Sequence, residues 1–439
     1  MSGKRIAVVG AGIAGLSAAW LLSRSHAVTL FEREPRLGGH ANTVDVATAD
    51  GVVPVDTGFI VYNRPCYPNL TALYEHLGVE THGTRMSFSV SLDGGAYEYE
   101  GSTLGMFAQG RNLVSLRHWR MVRDIFRFFR QAAADIRAAG PEISLGDYLR
   151  EAGYGRGFID DHILPMGAAI WSTPACEMLR FPARAFVEFY DNHGLLSALG
   201  RPEWRTVVGG SRVYVEALAA DMRAVARTAA PVTALRRFPD RVEIVAGGVA
   251  DSFDDVVVAT HADEALALLA DADAAERDML GAFRYAANRA VLHTDAAQMP
   301  RRRKAWASWN YAGARLDDGR GLSATYWMNA LQPLRTRTGI FVTLNPRTPI
   351  DPAAVVAGFD YDHPVFDDRA MRARETLWRL QGRNRTWFCG SYFGYGFHED
   401  AIQSGLRAAE ELGGVRRPWR VAAESGRLRL PAEAERASA

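Results

Sequence analysis

RIAVVGAGIAGLSAAWLLSRSHAVTLFERE, residues 5–34, is the stretch of sequence that decides the fold. Residues 5–9 are a short apolar run of the kind found in a buried parallel strand, and the glycine-rich turn 10–15 follows directly. Residues 16–23 predict a helix, and residues 27–31 predict a second strand that ends at Glu32. Strand, glycine turn, helix, strand and acid, in this order, predict a βαβ unit that binds a dinucleotide.

Each glycine of this turn has its own physical task. Gly10 permits the tight turn, Gly12 lets the backbone approach a pyrophosphate, and Gly15 lets the helix pack closely on the strand. The start of the helix offers unpaired N–H groups and partial positive charge to the phosphates. Glu32 stands where a carboxylate accepts hydrogen bonds from ribose hydroxyls. Because this carboxylate would repel a 2′-phosphate, the sequence disfavours NADP.

The residues after the second strand extend the pattern. Arg36-Leu-Gly38-Gly39-His40 follows Glu32 and resembles the Arg-x-Gly-Gly-Arg turn of the flavin-containing amine oxidase superfamily. That superfamily includes amine oxidases, protoporphyrinogen oxidases and carotenoid desaturases. The resemblance implies that the turn lies against an FAD. His40 replaces the final arginine of the pattern, which removes a permanent charge near the flavin.

Later segments resemble the same superfamily, so the resemblance covers the whole chain. Residues 55–60 resemble the segment beside the flavin ring, residues 230–232 the stretch whose valine meets the adenine, and residues 387–411 the closing strand, glycine turn and helix. No cysteine suits a covalent flavin linkage, so FAD is expected to be non-covalent. The resemblance implies these cofactor-binding residues: Gly10, Ala11, Gly12, Ile13, Ala14, Gly15, Glu32, Arg33, Arg36, Gly38, Gly39, His40, Thr57, Gly58, Phe59, Ile60, Val232, Gly390, Ala401 and Ile402.

These segments predict an α/β fold with a discontinuous, Rossmann-like FAD-binding domain over residues 1–82, 201–264 and 376–415. An inserted α+β substrate-binding domain of the amine-oxidase and desaturase type is expected over residues 83–200 and 265–375. Residues 416–439 form the C-terminal tail, which is predicted to be frayed from Glu424 because it is rich in Ala, Glu and Arg. No second G-x-G-x-x-G occurs, so the electrons are expected to come from an organic substrate.

The composition is that of an ordinary soluble globular protein: of 439 residues, 48% are hydrophobic and 23% are charged, with a formal net charge of +1. This balance gives no sign of a nucleic-acid partner. The three cysteines show no C-x-x-C spacing and the histidines no metal-ligand spacing, so no metal is expected. The absence of an N-terminal apolar leader and of a long apolar run predicts a cytoplasmic protein without a spanning helix.

Residues 113–131 predict an amphipathic helix. At about 100° per residue, Val114, Trp119, Met121, Val122, Ile125, Phe126, Phe128 and Phe129 share one arc, and Arg117, Arg120, Arg123, Arg127 and Arg130 share the opposite arc. Leu116 does not fit this division. Two interpretations remain open: a helix that packs on the core with a solvated arginine face, or a peripheral contact with an anionic membrane.

The sequence departs from amine oxidases at the reacting centre. Those enzymes usually hold a lysine near the flavin, on a strand that corresponds here to residues 285–293. Lysine occurs only at Lys4 and Lys304, so Asn288 or Arg289 would take its place. The terminal aromatic residue aligns with Phe397 rather than a tyrosine. Blocks such as residues 164–172 and 390–398 resemble a narrower bacterial group of FAD/NAD-binding oxidoreductases associated with cyclopropane- and methyl-fatty-acid formation.

The resemblance therefore implies an FAD-dependent oxidoreductase that desaturates a lipid, either a methyl-branched or an unsaturated fatty acyl chain. Hydride would pass to flavin N5 while a base takes the neighbouring proton. Several apolar residues are either ordinary core residues or the lining of a long apolar pocket: Phe59, Phe88, Met166, Trp171, Trp306, Trp309, Tyr326 and Trp327. Three alternatives remain open: an amine oxidase that releases hydrogen peroxide, a fatty acid isomerase, and a non-redox FAD-binding scaffold. The oligomeric state is left open. The candidate catalytic residues are His398, Glu399, Tyr395 and Arg289, with His293 as a further proton handler.

Overall fold

The computed structural model describes residues 3–138, 143–171, 175–197, 200–315 and 323–431. The strands in these ranges are β1 (Arg5–Val9), β2 (Ala27–Phe31), β3 (Thr43–Thr48), β4 (Gly51–Asp56), β5 (Tyr62–Asn63), β6 (Thr81–Thr84), β7 (Phe88–Leu92), β8 (Tyr97–Glu100), β9 (Trp204–Val207), β10 (Val225–Arg227), β11 (Val232–Arg237), β12 (Val242–Ala246), β13 (Val249–Phe253), β14 (Asp255–Val258), β15 (Arg284–His293), β16 (Trp309–Gly313), β17 (Ser323–Trp327), β18 (Phe341–Leu344), β19 (Val355–Val365) and β20 (Thr386–Phe388).

The helices of the same ranges are α1 (Ile13–Leu22), α2 (Pro68–Leu77), α3 (Leu116–Ala138), α4 (Leu145–Glu151), α5 (Arg156–Phe158), α6 (Leu164–Trp171), α7 (Ala175–Met178), α8 (Ala183–Asn192), α9 (Arg212–Asp221), α10 (Ala262–Leu268), α11 (Ala274–Leu280), α12 (Met328–Leu331), α13 (Asp368–Thr376) and α14 (His398–Gly413). A one-turn π-helix, Ile159–Ile163, joins α5 to α6. Short 3₁₀ turns complete the connections.

A five-stranded parallel sheet forms the first core, in the order β10-β2-β1-β14-β20. Parallel sheets need cover on both faces, and α1, whose ten residues are all buried, supplies part of it. Helices α1 and α14 pack so closely that a Cβ on Gly405 would lie 2.2 Å from the Ala14 carbonyl oxygen. The predicted strands 5–9 and 27–31 are confirmed, and so is the expected α/β fold with a Rossmann-like parallel sheet.

A seven-stranded mixed sheet forms the second core, in the order β19-β15-β18-β17-β16-β7-β8. Strands β7 and β16 run parallel, and the other neighbouring pairs run antiparallel. All seven strands come from the two segments predicted as the inserted domain, and all five of the parallel sheet come from the segments predicted as the FAD-binding domain. The exact domain boundaries stay a prediction. Smaller sheets, β11-β12-β13, β3-β4 and β5-β9-β6, flank the two cores.

The C-terminal segment differs from its prediction as a frayed tail. As far as Pro431, the end of the described residues, it packs against the parallel-sheet core, and Leu428 is buried. Arg427 binds the buried carboxylate of Asp400 at 3.0 Å, and the buried Arg417 binds Glu410 at 2.7 Å. The prediction of fraying is wrong for residues 424–431, because Arg427 pairs with a carboxylate of α14 rather than being solvated.

The structure of α3 differs in part from the helical-wheel prediction. Met121, Ile125 and Phe128 are buried as predicted, but Trp119 and Phe126 are 47% and 49% exposed. Three of the arginines assigned to the solvated arc have protein partners instead: Arg117 binds Asp161 at 2.7 Å, Arg123 binds Asp124 at 3.0 Å, and Arg127 stacks 3.9 Å from the Tyr154 ring. Within the described part of the chain, no helix combines the length and apolar character that crossing a bilayer requires.

Candidate active site

A cavity of about 1000 Å³ lies between the two large sheets. Its walls include Gly10, Glu32 and Ala259, which follow β1, β2 and β14, and Trp309 and Tyr326 of the mixed sheet. Ligands of open parallel sheets bind at the carboxyl ends of the strands. Single-ligand pockets measure about 300–1000 Å³, so this cavity lies at the upper end of that range and has room for a large ligand.

The glycine turn forms an empty cradle at one wall of the cavity. A Cβ added to Gly12 would meet no heavy atom within 4 Å, whereas one on Gly15 would lie 1.8 Å from the Gly10 carbonyl oxygen. Gly12 is the N-cap of α1 and supplies no side chain to the first N–H groups of that helix. A buried helix start without a cap needs a ligand that accepts these hydrogen bonds. The cradle therefore fits a phosphate group.

Glu32 occupies the position expected for a ribose-binding acid. Its two carboxylate oxygens accept from the backbone N–H groups of Ala11 at 2.7 Å and Glu34 at 2.9 Å. Each carboxylate oxygen can accept a second hydrogen bond, so Glu32 can still accept hydrogen bonds from hydroxyl groups. Arg33, on the same wall, binds Glu264 at 2.6 Å.

The turn 36–40 closes over the glycine cradle through backbone contacts. The Gly38 N–H donates to the Ala11 carbonyl at 2.8 Å, and the Phe59 N–H donates to the His40 carbonyl at 2.8 Å. A Cβ on Gly58 would lie 2.2 Å from that His40 oxygen. The close approach requires glycine at position 58 and brings two of the segments predicted to touch FAD onto one wall.

A cluster of histidines lies where the family pattern has an arginine. The His40 ring is 4.9 Å from Tyr361, 5.5 Å from His363 and 6.2 Å from His261. Burial, reinforced by the neighbouring histidines, lowers the pKa of His40 well below its usual value and that of His363 to about 4. His40 Nε2 is buried without a hydrogen-bond partner among the described residues. The imidazoles of His40 and His363 are therefore neutral at neutral pH.

Sequence reasoning singled out His40 but not His261 or His363 as residues of the cavity. A local signal existed for His261. It comes just after β14, and the carboxyl ends of neighbouring parallel strands meet at the same edge of a sheet. His363 lies on β19 of the other sheet, and no sequence pattern connects it to position 40.

His398 lines the cavity at the start of α14. Its ring stacks on Phe59 at 3.7 Å between centroids, and its Nε2 shares a 2.8 Å hydrogen bond with the Tyr214 hydroxyl. Burial lowers the pKa of His398 to about 3, so its imidazole is neutral at physiological pH. The turn before it is fixed by Asp400, which accepts from the Tyr395 and Phe397 N–H groups at 2.9 and 2.8 Å.

The other three candidate catalytic residues do not line this cavity. Glu399 is buried, and its carboxylate accepts from Asn69, Leu70 and Gln403 at 2.8 to 3.1 Å, which ties α14 to the start of α2. The Tyr395 hydroxyl donates to Glu188 at 3.2 Å. Arg289 binds Asp360 at the surface at 2.9 Å. Their catalytic roles stay predictions, and their contacts favour structural roles.

Most of the residues implied for FAD come together around the cradle. Gly15 and Ile402 are exceptions, since they are buried behind the wall and act through packing. Asn288 and His293 lie away from the lining as well: His293 is buried against Thr343. The lining includes Gly10, Ala11, Gly12, Ile13, Ala14, Glu32, Arg33, Arg36, Gly38, Gly39, His40, Thr57, Gly58, Phe59, Ile60, Val232, Gly390 and Ala401.

The far part of the cavity is an apolar chamber. Of the residues predicted to line an apolar pocket, the cavity wall includes Phe59, Phe88, Met166, Trp309 and Tyr326 but not Trp171, Trp306 or Trp327. The Phe397 ring stacks on the Phe189 ring at 4.8 Å between centroids. Phe189 belongs to α8, which also contributes buried aromatic residues to the core. The exposed Arg201 stands at the rim, where its Nε donates to the Ser197 carbonyl at 2.7 Å. The chamber is lined by Met86, Phe88, Met166, Ile170, Phe189, His193, Leu195, Arg201, Trp204, Trp309, Tyr326 and Phe397.

Among the lining residues that the structure describes, acidic and basic groups are unevenly placed. All five carboxylates, Glu32, Glu34, Glu264, Asp360 and Asp362, belong to the cradle side or to β19, and none belongs to the chamber. Arg201 is the chamber's charged residue, and its Nε donates to the Ser197 carbonyl rather than to a carboxylate. No lysine lines the cavity. The chamber thus suits an apolar molecule with an anionic end.

Neither Cys66 nor Cys389, the two described cysteines, lies in the cavity wall. The Cys66 thiol donates to the Asn192 carbonyl at 2.7 Å, and Cys389 is fully buried. In the described residues, no group of three or more His, Cys, Asp or Glu side chains has an arrangement that could hold a metal ion.

Comparison with known proteins gives one family and one fold. The family model for "Flavin containing amine oxidoreductase" matches residues 13–308. Carotenoid phi-ring synthase of Streptomyces griseus is 47% identical over 70 residues, which make up 16% of this chain and 13% of that protein. The matched stretch is thus a small part of that relative's length.

Two solved structures show how far the fold similarity extends. The CLA-producing fatty acid isomerase from P. acnes has a TM-score of 0.67 at 15% identity, over 94% of this chain and 98% of that one. A double mutant of putrescine oxidase has a TM-score of 0.66 at 15% identity, over 93% of this chain and 99% of that one. At these identities the similarity shows the fold alone.

Proposed function

The chain belongs to the flavin containing amine oxidoreductase family, and from this premise we propose that it is an FAD-dependent oxidoreductase whose substrate is a fatty acyl chain. The class of enzyme follows from the family. The substrate is our proposal, and it rests on one observation: the chamber is apolar, lacks a carboxylate among its described lining residues and carries Arg201 at its rim.

The cradle fits FAD through its empty Gly12 position, its uncapped helix start and the free capacity of Glu32. When bound, FAD supplies an acceptor for hydride from a C–H bond. Gly10–Ala14 would hold the pyrophosphate, and Glu32 the ribose. Because the described cysteines lie outside the cavity wall, we propose that the cofactor is held without a covalent bond.

The chain's own side chains then determine what enters beside the cofactor. The chamber excludes water from an acyl chain with aromatic and aliphatic walls. An ammonium group buried there would meet no carboxylate, and an unpaired buried charge is costly. This disfavours the amine-oxidase alternative. A carboxylate end placed at the rim would pair with the Arg201 guanidinium, which stays charged at any physiological pH.

His398 has a positioning role in this proposal. Its neutral ring is held by Phe59 on one face and by the Tyr214 hydroxyl at Nε2. An imidazole whose pKa is lowered to about 3 by burial is a weak base, so we assign His398 to orienting groups at the cavity wall rather than to taking a proton from substrate.

The proposal predicts which compounds reduce the flavin. Under anaerobic conditions, unsaturated or methyl-branched fatty acids should bleach the flavin absorbance of the purified holoprotein, because they fit the chamber and carry activated C–H bonds. Putrescine and cyclohexylamine should leave the absorbance unchanged.

Bleaching by amines alone would contradict the lipid proposal and restore the amine-oxidase alternative. If neither class bleaches the flavin, the fatty acids are recovered and analysed by mass spectrometry for a moved double bond. A moved double bond would replace oxidation with isomerisation. Unchanged fatty acids would leave the scaffold interpretation.

A second prediction concerns Arg201. Substitution Arg201→Gln should raise the KM for a free fatty acid about 10- to 100-fold, because a hydrogen bond to a charged group contributes about 1.5–3 kcal/mol. The flavin content should be unchanged, since Arg201 stands at the chamber rather than at the cradle. Steady-state kinetics with the acid and its methyl ester measure the effect.

Two comparisons sharpen this test. Arg201→Lys should recover part of the affinity for the acid. The KM for the methyl ester should be the same in all variants. Arg180, an exposed arginine outside the cavity wall, provides the control substitution Arg180→Gln. Equal KM values for the acid in the wild type and Arg201→Gln would refute the role of Arg201.

A further inference from the structure

Large apolar side chains are exposed in one region of the surface. Six lie between residues 104 and 126, and we call them the apolar patch; the five others in the described residues are valines on strands or strand ends, Val52, Val225, Val249, Val355 and Val356. Exposed apolar clusters of this kind mark interaction sites. The apolar patch consists of Leu104 (87% exposed), Leu113 (55%), Val114 (84%), Leu116 (74%), Trp119 (47%) and Phe126 (49%).

The apolar patch is contiguous and held in place. Phe107 links its two parts, since its N–H donates to the Leu104 carbonyl at 3.1 Å and its ring lies 5.1 Å from Trp119. The Trp119 indole N–H donates to the Leu113 carbonyl at 2.9 Å. The Trp119 ring and the backbone turn that carries Leu104 are therefore held by hydrogen bonds.

Positive charge surrounds the apolar patch. Residues 101–138 contain seven arginines and two aspartates. Asp124 is buried, and Asp135 accepts from the Tyr148 hydroxyl at 3.0 Å. Arg120, Arg123 and Arg130 are exposed on the same face of α3 as Leu116, at about 100° per residue. Arg123 pairs with the buried Asp124 at 3.0 Å. With seven arginines against two aspartates, the surface combines apolar residues with an excess of positive charge.

This surface lies directly over the chamber. Helix α3 packs with its buried face on α8, where the Phe128 ring is 6.0 Å from that of Tyr190. The same α8 carries Phe189, a wall residue of the chamber. One helix layer therefore separates the apolar patch from the apolar part of the cavity.

We propose that the apolar patch and the arginines beside it dock this protein onto the surface of an anionic lipid bilayer. Exposed leucine and tryptophan next to arginine is the composition of helices that lie in the interfacial plane of a membrane. The excess of arginine selects anionic lipid over a second copy of this chain, because two such faces would repel each other. The docking does not depend on the identity of the substrate, so either proposal can fail alone.

The test is co-sedimentation of the full-length holoprotein with vesicles of phosphatidylcholine, with or without phosphatidylglycerol. We expect binding to the anionic vesicles that weakens with added salt. The variant Arg120→Gln, Arg123→Gln, Arg130→Gln should bind about 100-fold more weakly, since each arginine near an anionic surface contributes roughly fivefold. Arg117 and Arg127 are left in place because they support the fold.

A second variant tests the apolar contribution. Leu104→Ser, Val114→Ser and Leu116→Ser should also weaken binding, and this loss should persist at high salt. Matched controls are Arg236→Gln, Arg277→Gln, Arg420→Gln for charge and Val225→Ser, Val249→Ser for exposed apolar side chains, all outside the patch. The controls should bind as the wild type does, and flavin content verifies that each variant is folded.

Three results would overturn the proposal. The first is no binding of the wild type to anionic vesicles. The second is equal loss in the patch variants and the controls, which would show a response to net charge alone. The third is a dimer in sedimentation velocity that the serine variant abolishes while vesicle binding persists, because the patch would then be a contact between copies of this chain.

Discussion

Replacing Gly12 with valine should remove the flavin from the protein and leave the fold intact. The backbone at Gly12 is in an extended conformation that any residue adopts, and its missing Cβ faces open space in the cavity wall. A valine there would fill the cradle and hold a phosphate away from the N–H groups of α1. Two hydrogen bonds of about 1.5–3 kcal/mol each would be lost, so the affinity for FAD should fall at least about 100-fold.

The measurement is the ratio of flavin to protein absorbance after purification, with circular dichroism as the test of folding. Gly110→Val is the matched control, because Gly110 also has open space at its Cβ position but lies outside the cavity wall. Gly15→Val should instead unfold the protein, since its Cβ would clash with the Gly10 carbonyl. A yellow Gly12→Val variant would show that the cradle does not hold the cofactor.

Acidification should destabilise the protein strongly through two buried histidines away from the cavity. Burial lowers the pKa of His162 to about 3 and that of His293 to about 4. In the unfolded chain each titrates near pH 6.5, so between these values the unfolded state binds more protons. The contribution of these two neutral histidines to the free energy of unfolding is therefore complete above about pH 6.5 and is lost as the pH falls. At pH 5 each histidine lowers the free energy of unfolding by about 2 kcal/mol.

The comparison that isolates this effect uses His162→Asn and His293→Gln in one chain. Asparagine reproduces the hydrogen bond of His162 Nδ1 with Tyr99, and glutamine that of His293 Nε2 with Thr343. Between pH 7.5 and pH 5, denaturant unfolding of the wild type should lose about 4 kcal/mol more than that of the double variant. His82→Asn, at an exposed histidine, is the control.

Asp56 opposes this trend in both proteins. Burial raises the pKa of this carboxyl to about 6, so the folded state takes up the proton first and gains stability as the pH falls from about 6 to 4. Because the wild type and the double variant share Asp56, its effect cancels in the comparison. If the free energy of unfolding depends on pH equally in the wild type and the double variant, the two histidines titrate alike in the folded and unfolded states.

The cradle could be predicted from sequence because its physics is local. The roles of Gly10, Gly12 and Glu32 depend on one turn between two strands and the helix that follows, all within 30 residues. Trp309 is among the residues that the sequence offers for an apolar pocket, but the assembled chamber could not be predicted in this way. Phe189, Trp309 and Phe397 meet only after two sheets have assembled, and no periodicity in any one segment encodes their meeting. Arg201 has no motif of its own for the same reason.

Helix α3 shows the limit of periodicity alone. A helical wheel orders residues by angle but does not locate the neighbouring elements. Phe126 was therefore placed with the core, although its angle puts it at the border of the exposed face, where it is 49% exposed. Arg127 was placed in solvent, although its stem and guanidinium pack on Tyr154. The amphipathic character was predictable, and the position of its boundary was not.

The strand order of the parallel sheet has a consequence for synthesis on the ribosome. Strand β1 pairs with β2 on one edge and with β14 on the other. The second edge of residues 5–9 therefore stays unpaired until residues 255–258 have been synthesised. At about 5–20 residues per second, the apolar edge of β1 emerges from the ribosome roughly 10–50 seconds before its partner is made. During this interval the unpaired edge of β1 is open to pairing with other chains. A ribosome stalled before codon 390 would carry a chain without the closing wall of the cofactor site.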